Sequence, residues 1–286
     1  MSFSVFDAVA GVFRDWPGTG NRRPTFTTLA FPVGVLLLSA FGSFEVDGSR
    51  GSQELTVFAA ASLTDALTEV GNAFEAEREN ISIINNFAAS SQLAAQLREG
   101  VGADVFASAN PTQMDNAIKA GRVHSGEQRT FVSNRLTAIV PKDNPAGVRS
   151  IEDLAAEPVD LILAVEGVPA RVYTDEIVAA FSRDFRERFY ANVVSEEGNV
   201  RRVAAKVALG EADAGIVYTS DVTPDIRDRV RQVPVPEERN IIASYRVAPV
   251  SDAPNPGLAR DYVEFLLSPT GQEILVRQGF GPPPSD

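Results

Sequence analysis

The chain has 286 residues, 44% hydrophobic and 22% charged, enough for one large globular domain or two medium ones with their own cores. Its formal net charge of -12 argues against nucleic acid as a partner, since phosphate binding needs clustered Lys and Arg; local dipoles can still hold a small anion. With no cysteine and a single histidine, His124, the composition excludes disulfides, thiolate metal sites, cysteine nucleophiles and multi-histidine metal centres.

The first predicted element is an export segment. Arg22 and Arg23 precede an apolar run over residues 29–38, followed by Ser39, Ala40 and Gly42 and a polar stretch over 45–53. A positive flank, a short apolar core and small residues form the pattern of a secretory signal. The run is short and broken by Pro32 and Gly34, which disfavours a spanning helix; an N-terminal core helix is the alternative. Residues 38–42 (LSAFG) look like a lipoprotein signal with Phe41 where the lipidated cysteine would stand, so no thioether lipid can be attached there. Residues 1–53 are therefore read as signal and linker. The mature protein is expected in the periplasm or another extracytoplasmic space, either free after cleavage or tethered by an uncleaved segment.

From residue 54 strands and helices alternate. Residues 54–60 (ELTVFAA) are β-rich, and Leu63, Ala66, Leu67, Val70 and Phe74 repeat at helical spacing. A second strand is expected over 81–87, a second helix around Leu93, Ala94 and Leu97, a third strand over 103–107, and a third helix opening at Pro111. This is a parallel α/β pattern. Further on, strands are expected over 136–140, 161–165, 214–218 and 241–247, and helices over 169–181, 200–209, 257–267 and 270–277. The tail over 282–286 (PPPSD) is expected to be disordered or extended.

Four predicted helix starts carry small or hydroxyl residues: Ala61-Ser62, Ala89-Ser90, Val168-Pro169-Ala170 and Asn199-Val200. Helix N-termini expose unpaired N–H groups and the positive end of the macrodipole, so a dianion can be held there without a cationic side chain. Each start also has an ordinary explanation, because Ser and Asn are preferred N-caps and Pro favours the first turn. Asp65, Glu69 and Asp104 could be mistaken for an acid/base set; Asp65 reads instead as an acid early in a helix and Glu69 as solvent-facing. His124 has no neighbouring pattern that would build a triad.

As a set, these segments resemble the periplasmic molybdate-binding proteins of ABC transporters. Residues 55–63 (LTVFAAASL) look like that family's opening, 87–93 (FAASSQL) like its second serine-bearing turn, and 103–110 (ADVFASAN) like its third strand and loop. Val168-Pro169-Ala170, Asn199-Val200-Arg201, Gly215-Ile216-Val217-Tyr218 and Phe265-Leu266-Leu267-Ser268-Pro269 follow in order, so the resemblance covers about residues 54–281.

The resemblance implies a two-lobed periplasmic-binding-protein-like α/β fold of type II, each lobe a mixed sheet flanked by helices, with the ligand in the cleft. Lobe 1 would comprise 54–132 plus 244–286 and lobe 2 133–243, with hinge crossings near 131–135 and 243–246. It implies a five-point oxyanion cage: the hydroxyls of Ser62 and Ser90, the backbone N–H groups of Ala170 and Val200, and the hydroxyl of Tyr218. Molybdate, and with it tungstate, would be bound as the oxyanion, with no cofactor and no metal ligated directly. The protein would act as a monomer, without catalysis, and deliver the anion to an ABC permease and ATPase. Sulfate or another tetrahedral oxyanion is the alternative ligand, and an α/β enzyme acting on an anionic substrate is the alternative class. The family often has glycine where Arg171 stands, so Arg171 is expected either to face solvent or to add charge near the anion.

Overall fold

The computed structural model describes residues 52–284, so the export segment expected over residues 1–53 lies outside the described residues apart from Ser52 and from Gln53, which already opens the first strand. Strand β1 (Gln53–Ala60) runs into a 3-10 turn (Ala61–Leu63) and then α1 (Thr64–Ala76), which buries Ala66, Leu67, Val70, Gly71 and Phe74 on one face. β2 (Ile81–Ala88), α2 (Ser90–Arg98), β3 (Val105–Ser108) and α3 (Pro111–Lys119) continue the alternation read from the sequence. Both β2 and β3 pair with β1 in parallel, as βαβ connections require.

β4 (Arg129–Pro141) is much longer than the strand expected over 136–140 because it changes partners along its length. Its first part pairs antiparallel with β9 (Ile242–Pro249), which in turn pairs with β3. From Leu136 onward it pairs antiparallel with β7 (Ala214–Tyr218) and, on its other edge, with β8 (Val230–Pro234). β7 also pairs with β5 (Leu161–Ala164), and β5 with β6 (Val193–Glu197), both in parallel. The path across the strands is β2-β1-β3-β9-β4-β7-β5-β6. Helices α4 (Pro169–Ala179), α5 (Arg183–Ala191) and α6 (Val200–Ala208) belong to the second half; α7 (Pro256–Leu267) and α8 (Pro269–Arg277) return to the first. The architecture is two mixed sheets flanked by helices and joined through β4 and β9.

Where the chain passes between the halves, packing and hydrogen bonds are dense. Asn240 brackets Leu136, accepting from its N–H at 3.2 Å and donating to its carbonyl at 2.8 Å. Tyr245 makes edge-to-face contacts with Phe131, Tyr218 and Phe280. The proline tail is held at its start: Ser133 and Gly281 exchange backbone hydrogen bonds of 2.9 Å, and Ser133 Oγ donates to the Pro282 carbonyl at 2.6 Å. In the first half, Phe74 of α1 meets Tyr262 and Phe265 of α7 edge-on at 5.3 and 5.4 Å.

Gly271, buried in the first turn of α8, marks the tightest approach between helices, since a Cβ there would meet the carbonyl oxygens of Phe265 and Leu266. Backbone atoms cannot rotate aside, so Gly271→Ala must push α8 off α7. The expected cost is about 1–3 kcal/mol, read as a lower denaturant midpoint with an unchanged slope. Among the described residues, no helix is long and apolar enough to cross a membrane.

Candidate functional site

The 3-10 turn after β1, the starts of α2, α4 and α6, and the end of β7 converge on one small cavity. It is lined by Ser62 and Ser90 from the first half and by Ala170, Asn199, Val200 and Tyr218 from the second, and its volume is only about 10 Å³. About 10–15 Å³ on this measure is room for one water, so the lining groups close tightly around a single small space. The five residues named from the sequence thus meet in one place, none more than 4% exposed.

Neither serine is the N-cap that propensity favours. Ser62 lies inside the 3-10 turn, behind Ala60 at the cap, and Ser90 is the first residue of α2, behind Ala89; neither cap offers a side-chain acceptor. α4 likewise starts behind Val168 without a side-chain cap. By contrast, α3, α5 and α8 are capped by Asn110, Ser182 and Ser268. Asn199 does cap α6, but on the N–H of Arg202, the third residue of the helix. The first N–H groups of α4 and α6, on Ala170 and Val200, find no acceptor among the described residues. Helix starts around the cavity are therefore left with donors to spare, where the macrodipole is most positive.

The hydroxyls complete a donor set. Ser90 Oγ accepts from the N–H of Ala109 at 3.0 Å, which leaves its proton free. Ser62 Oγ lies 2.9 Å from the Tyr245 hydroxyl. The Tyr218 hydroxyl is fully buried and makes no hydrogen bond among the described residues, and burial pushes its phenol well above the ordinary tyrosine range. It is a neutral donor at any physiological pH. An unpaired buried donor costs roughly 1–3 kcal/mol, a cost that an acceptor in the cavity would remove.

Charges surround the cavity without entering it. Arg201, next to Val200, reaches across to Asp65 of α1 at 2.7 Å and touches Asp221 at 2.9 Å. Asp65 is thus a cross-cleft partner and not merely an acid at a helix start. Asp221 is completely buried and accepts from the N–H of Tyr218 at 3.0 Å; burial raises its carboxyl to about 6 against the pull of Arg201. A second cross-cleft bond runs from Gln113 Nε2 to the Gly167 carbonyl at 3.3 Å.

Arg171 does neither of the things expected of it. It is 7% exposed, and its guanidinium is held by Asp175 at 2.7 Å, by Glu196 and by the Ala164 carbonyl. It lines a separate groove with Glu166 and Tyr190, so its charge is matched away from the cavity. Glu69 is also not free in solvent: Arg277 and Gln278 hydrogen-bond it and hold its carboxyl below the usual range. Asp104 is buried and accepts from the N–H groups of Thr56 and Asn255, tying β1 to the approach of α7. His124 is exposed. Arg201, Asp221, Tyr245 and Gln113 carried no local signal in the sequence, because each acts through a partner far along the chain.

The chain matches the bacterial extracellular solute-binding protein family over residues 55–281. It belongs to that family. The binding protein is therefore not an enzyme, and the reading as an enzyme on an anionic substrate is set aside. It is 36% identical over 235 residues to the molybdate-binding protein ModA of Mycobacterium tuberculosis strain H37Rv, covering 82% of this chain and 87% of that one. Among solved structures, the substrate-binding domain of a putative molybdenum ABC transporter from Clostridium difficile superposes with a TM-score of 0.61 at 29% identity, covering 81% of this chain and 99% of that one. The sulfate-binding protein SubI of Mycobacterium tuberculosis H37Rv gives 0.71 at 20% identity over 80% and 87% of the two chains, a likeness of fold alone.

Proposed function

We propose that this protein captures molybdate, and with it tungstate, in the cavity between Ser62, Ser90, Ala170, Val200 and Tyr218, and delivers it as a monomer to an ABC permease and ATPase. The lobes would be 54–132 plus 244–286 and 133–243, hinged through β4 and β9. After export the protein would work outside the cytoplasm, either free or tethered by its N-terminal segment.

The observation that carries this reading is a buried cavity whose polar lining offers donors, with the Tyr218 hydroxyl among them and unpaired. Such a lining suits a fully deprotonated tetrahedral dianion, because every ligand oxygen can only accept. A hydrogen phosphate proton would face donors and lose roughly 1–3 kcal/mol. Sulfate would be disfavoured by size, its oxygens lying nearer the centre than those of molybdate.

Thermal unfolding of the exported part with molybdate, tungstate, sulfate and phosphate in turn tests the assignment. A ligand at about 100 times its dissociation constant adds roughly 2.7 kcal/mol of stability. A rise with molybdate and tungstate alone is the expected result; a rise with sulfate would move the reading to a sulfate carrier, and no rise with any would overturn it. Tyr218→Phe is expected to weaken molybdate binding by about 10–100-fold, the worth of a hydrogen bond to a charged ligand, while leaving the apo fold at least as stable. Wild-type affinity in a titration of that variant would remove Tyr218 from the cage.

A further inference from the structure

We infer that Asn134 and Tyr245 lock the Ser62 hydroxyl as a donor into the cavity and so act as positioning residues that favour fully deprotonated over protonated oxyanions. The inference rests on the reading of the cavity as an oxyanion site.

The direction of each hydrogen bond follows from the buried groups around it. The carboxamide of Asn134 is oriented by its oxygen, which accepts from the Arg135 N–H and from Thr219 Oγ1, both at 2.9 Å. Its nitrogen must therefore point the other way, where it donates to Ser220 Oγ at 2.8 Å and to the Tyr245 hydroxyl at 3.4 Å. Tyr245 is fully buried and cannot return its proton to an N–H donor. The Tyr218 hydroxyl also faces it but makes no hydrogen bond, so the acceptor it reaches is Ser62 Oγ, at 2.9 Å. If Ser62 donated to Tyr245 instead, the tyrosine proton would be buried without a partner, which costs more than either arrangement gains. Ser62 thus accepts from Tyr245, and its own proton is directed elsewhere. Because Ser62 lines the cavity, that proton is available to a ligand oxygen. Serine alone is indifferent, since a free hydroxyl rotates to donate or accept. The relay removes that freedom from a site that would otherwise adapt to a protonated ligand.

The test compares selenate with arsenate, which are close in size but differ in that arsenate carries at least one proton at neutral pH. Each is titrated against molybdate bound to the exported protein, as wild type and as Tyr245→Phe. The variant is expected to lower the selenate-over-arsenate preference by about tenfold, as Ser62 regains the freedom to accept. A merely structural role would weaken both anions by the same factor, and an unchanged ratio overturns the inference. Asn134→Asp, which offers Tyr245 an acceptor in place of a donor, should shift the ratio in the same direction. In a Ser62→Ala background Tyr245→Phe should change the ratio no further; an additive change would show that Tyr245 does not act through Ser62. Failure of the wild-type protein to bind molybdate would instead overturn the reading of the site itself, an outcome separate from normal binding with an unmoved ratio.

Discussion

A Ser62→Ala, Ser90→Ala double variant is expected to bind molybdate about 10²–10⁴-fold more weakly than the parent protein. Each hydroxyl is worth about 1.5–3 kcal/mol as a donor to a charged ligand, and every 1.4 kcal/mol is tenfold in affinity. The substitutions also have a structural side. Removing the Ser90 hydroxyl takes the acceptor from the buried N–H of Ala109, and removing that of Ser62 takes the acceptor from Tyr245. The ligand-free variant should therefore unfold at a lower denaturant midpoint, by an amount equivalent to about 1–3 kcal/mol for each orphaned donor. Calorimetric titration on protein shown to be folded by circular dichroism separates the two effects. Binding within a few-fold of wild type would exclude these serines from the cage.

Arg201→Met is expected to destabilise the protein by about 1–2 kcal/mol at neutral pH, since the buried carboxylate left without its partner takes up a proton at a cost of about 1.4 kcal/mol per pKa unit. The group left behind is Asp221, whose buried carboxylate touches Arg201 Nε at 2.9 Å. The pH dependence has a definite sign. Because the folded-state value, about 6, lies above the ordinary aspartate value of 3.8, the proton is bound more tightly in the native state. What this group contributes to stability is complete below 3.8 and is lost as pH rises through about 6. Without Arg201 the folded-state value moves higher still, so the deficit of the variant should be largest above neutrality and shrink in acid. Denaturant unfolding at acidic and alkaline pH reads this directly, and a deficit independent of pH would show that Arg201 acts by packing alone. Asp221→Asn should rescue most of the loss, because the amide oxygen can still accept from Tyr218. Arg201→Met also removes the bond to Asp65, so molybdate affinity should fall even in the rescued double variant as closure of the cleft is weakened.

The alternation of strand and helix was readable from β1 through α3 because its signals are local. Period-two and helical repeats of buried residues, Pro111 at a first turn and small residues after each strand all lie within one element. The misses have local causes too. In α5 only Phe185 and Phe189 are buried, in a segment otherwise rich in charge, so no wide apolar stripe announces it. β8 buries two valines three apart, and β6 buries only Glu197, neither of which gives clean alternation. The first part of β4 was invisible because its pairing lies with β9, more than a hundred residues on.

The site divides in the same way. Serine in a small-residue turn, proline at a helix start and a tyrosine closing a strand are properties of short segments. Their likeness to a known family was enough to name the five residues that line the cavity. Which groups stand behind them was not readable. Ser62 meets Tyr245 across 183 positions and Arg201 meets Asp65 across 136, contacts that exist because β4 and β9 carry the chain between two sheets. Arg171 shows the limit: its sequence position beside Ala170 implied a charge near the ligand, whereas packing against Asp175 and Glu196 turned that charge elsewhere. Secondary structure and helix-start chemistry follow from the conformational preferences of a few adjacent residues. The direction of a buried side chain and the partner that satisfies it depend on desolvation, which is felt only once distant segments close around it.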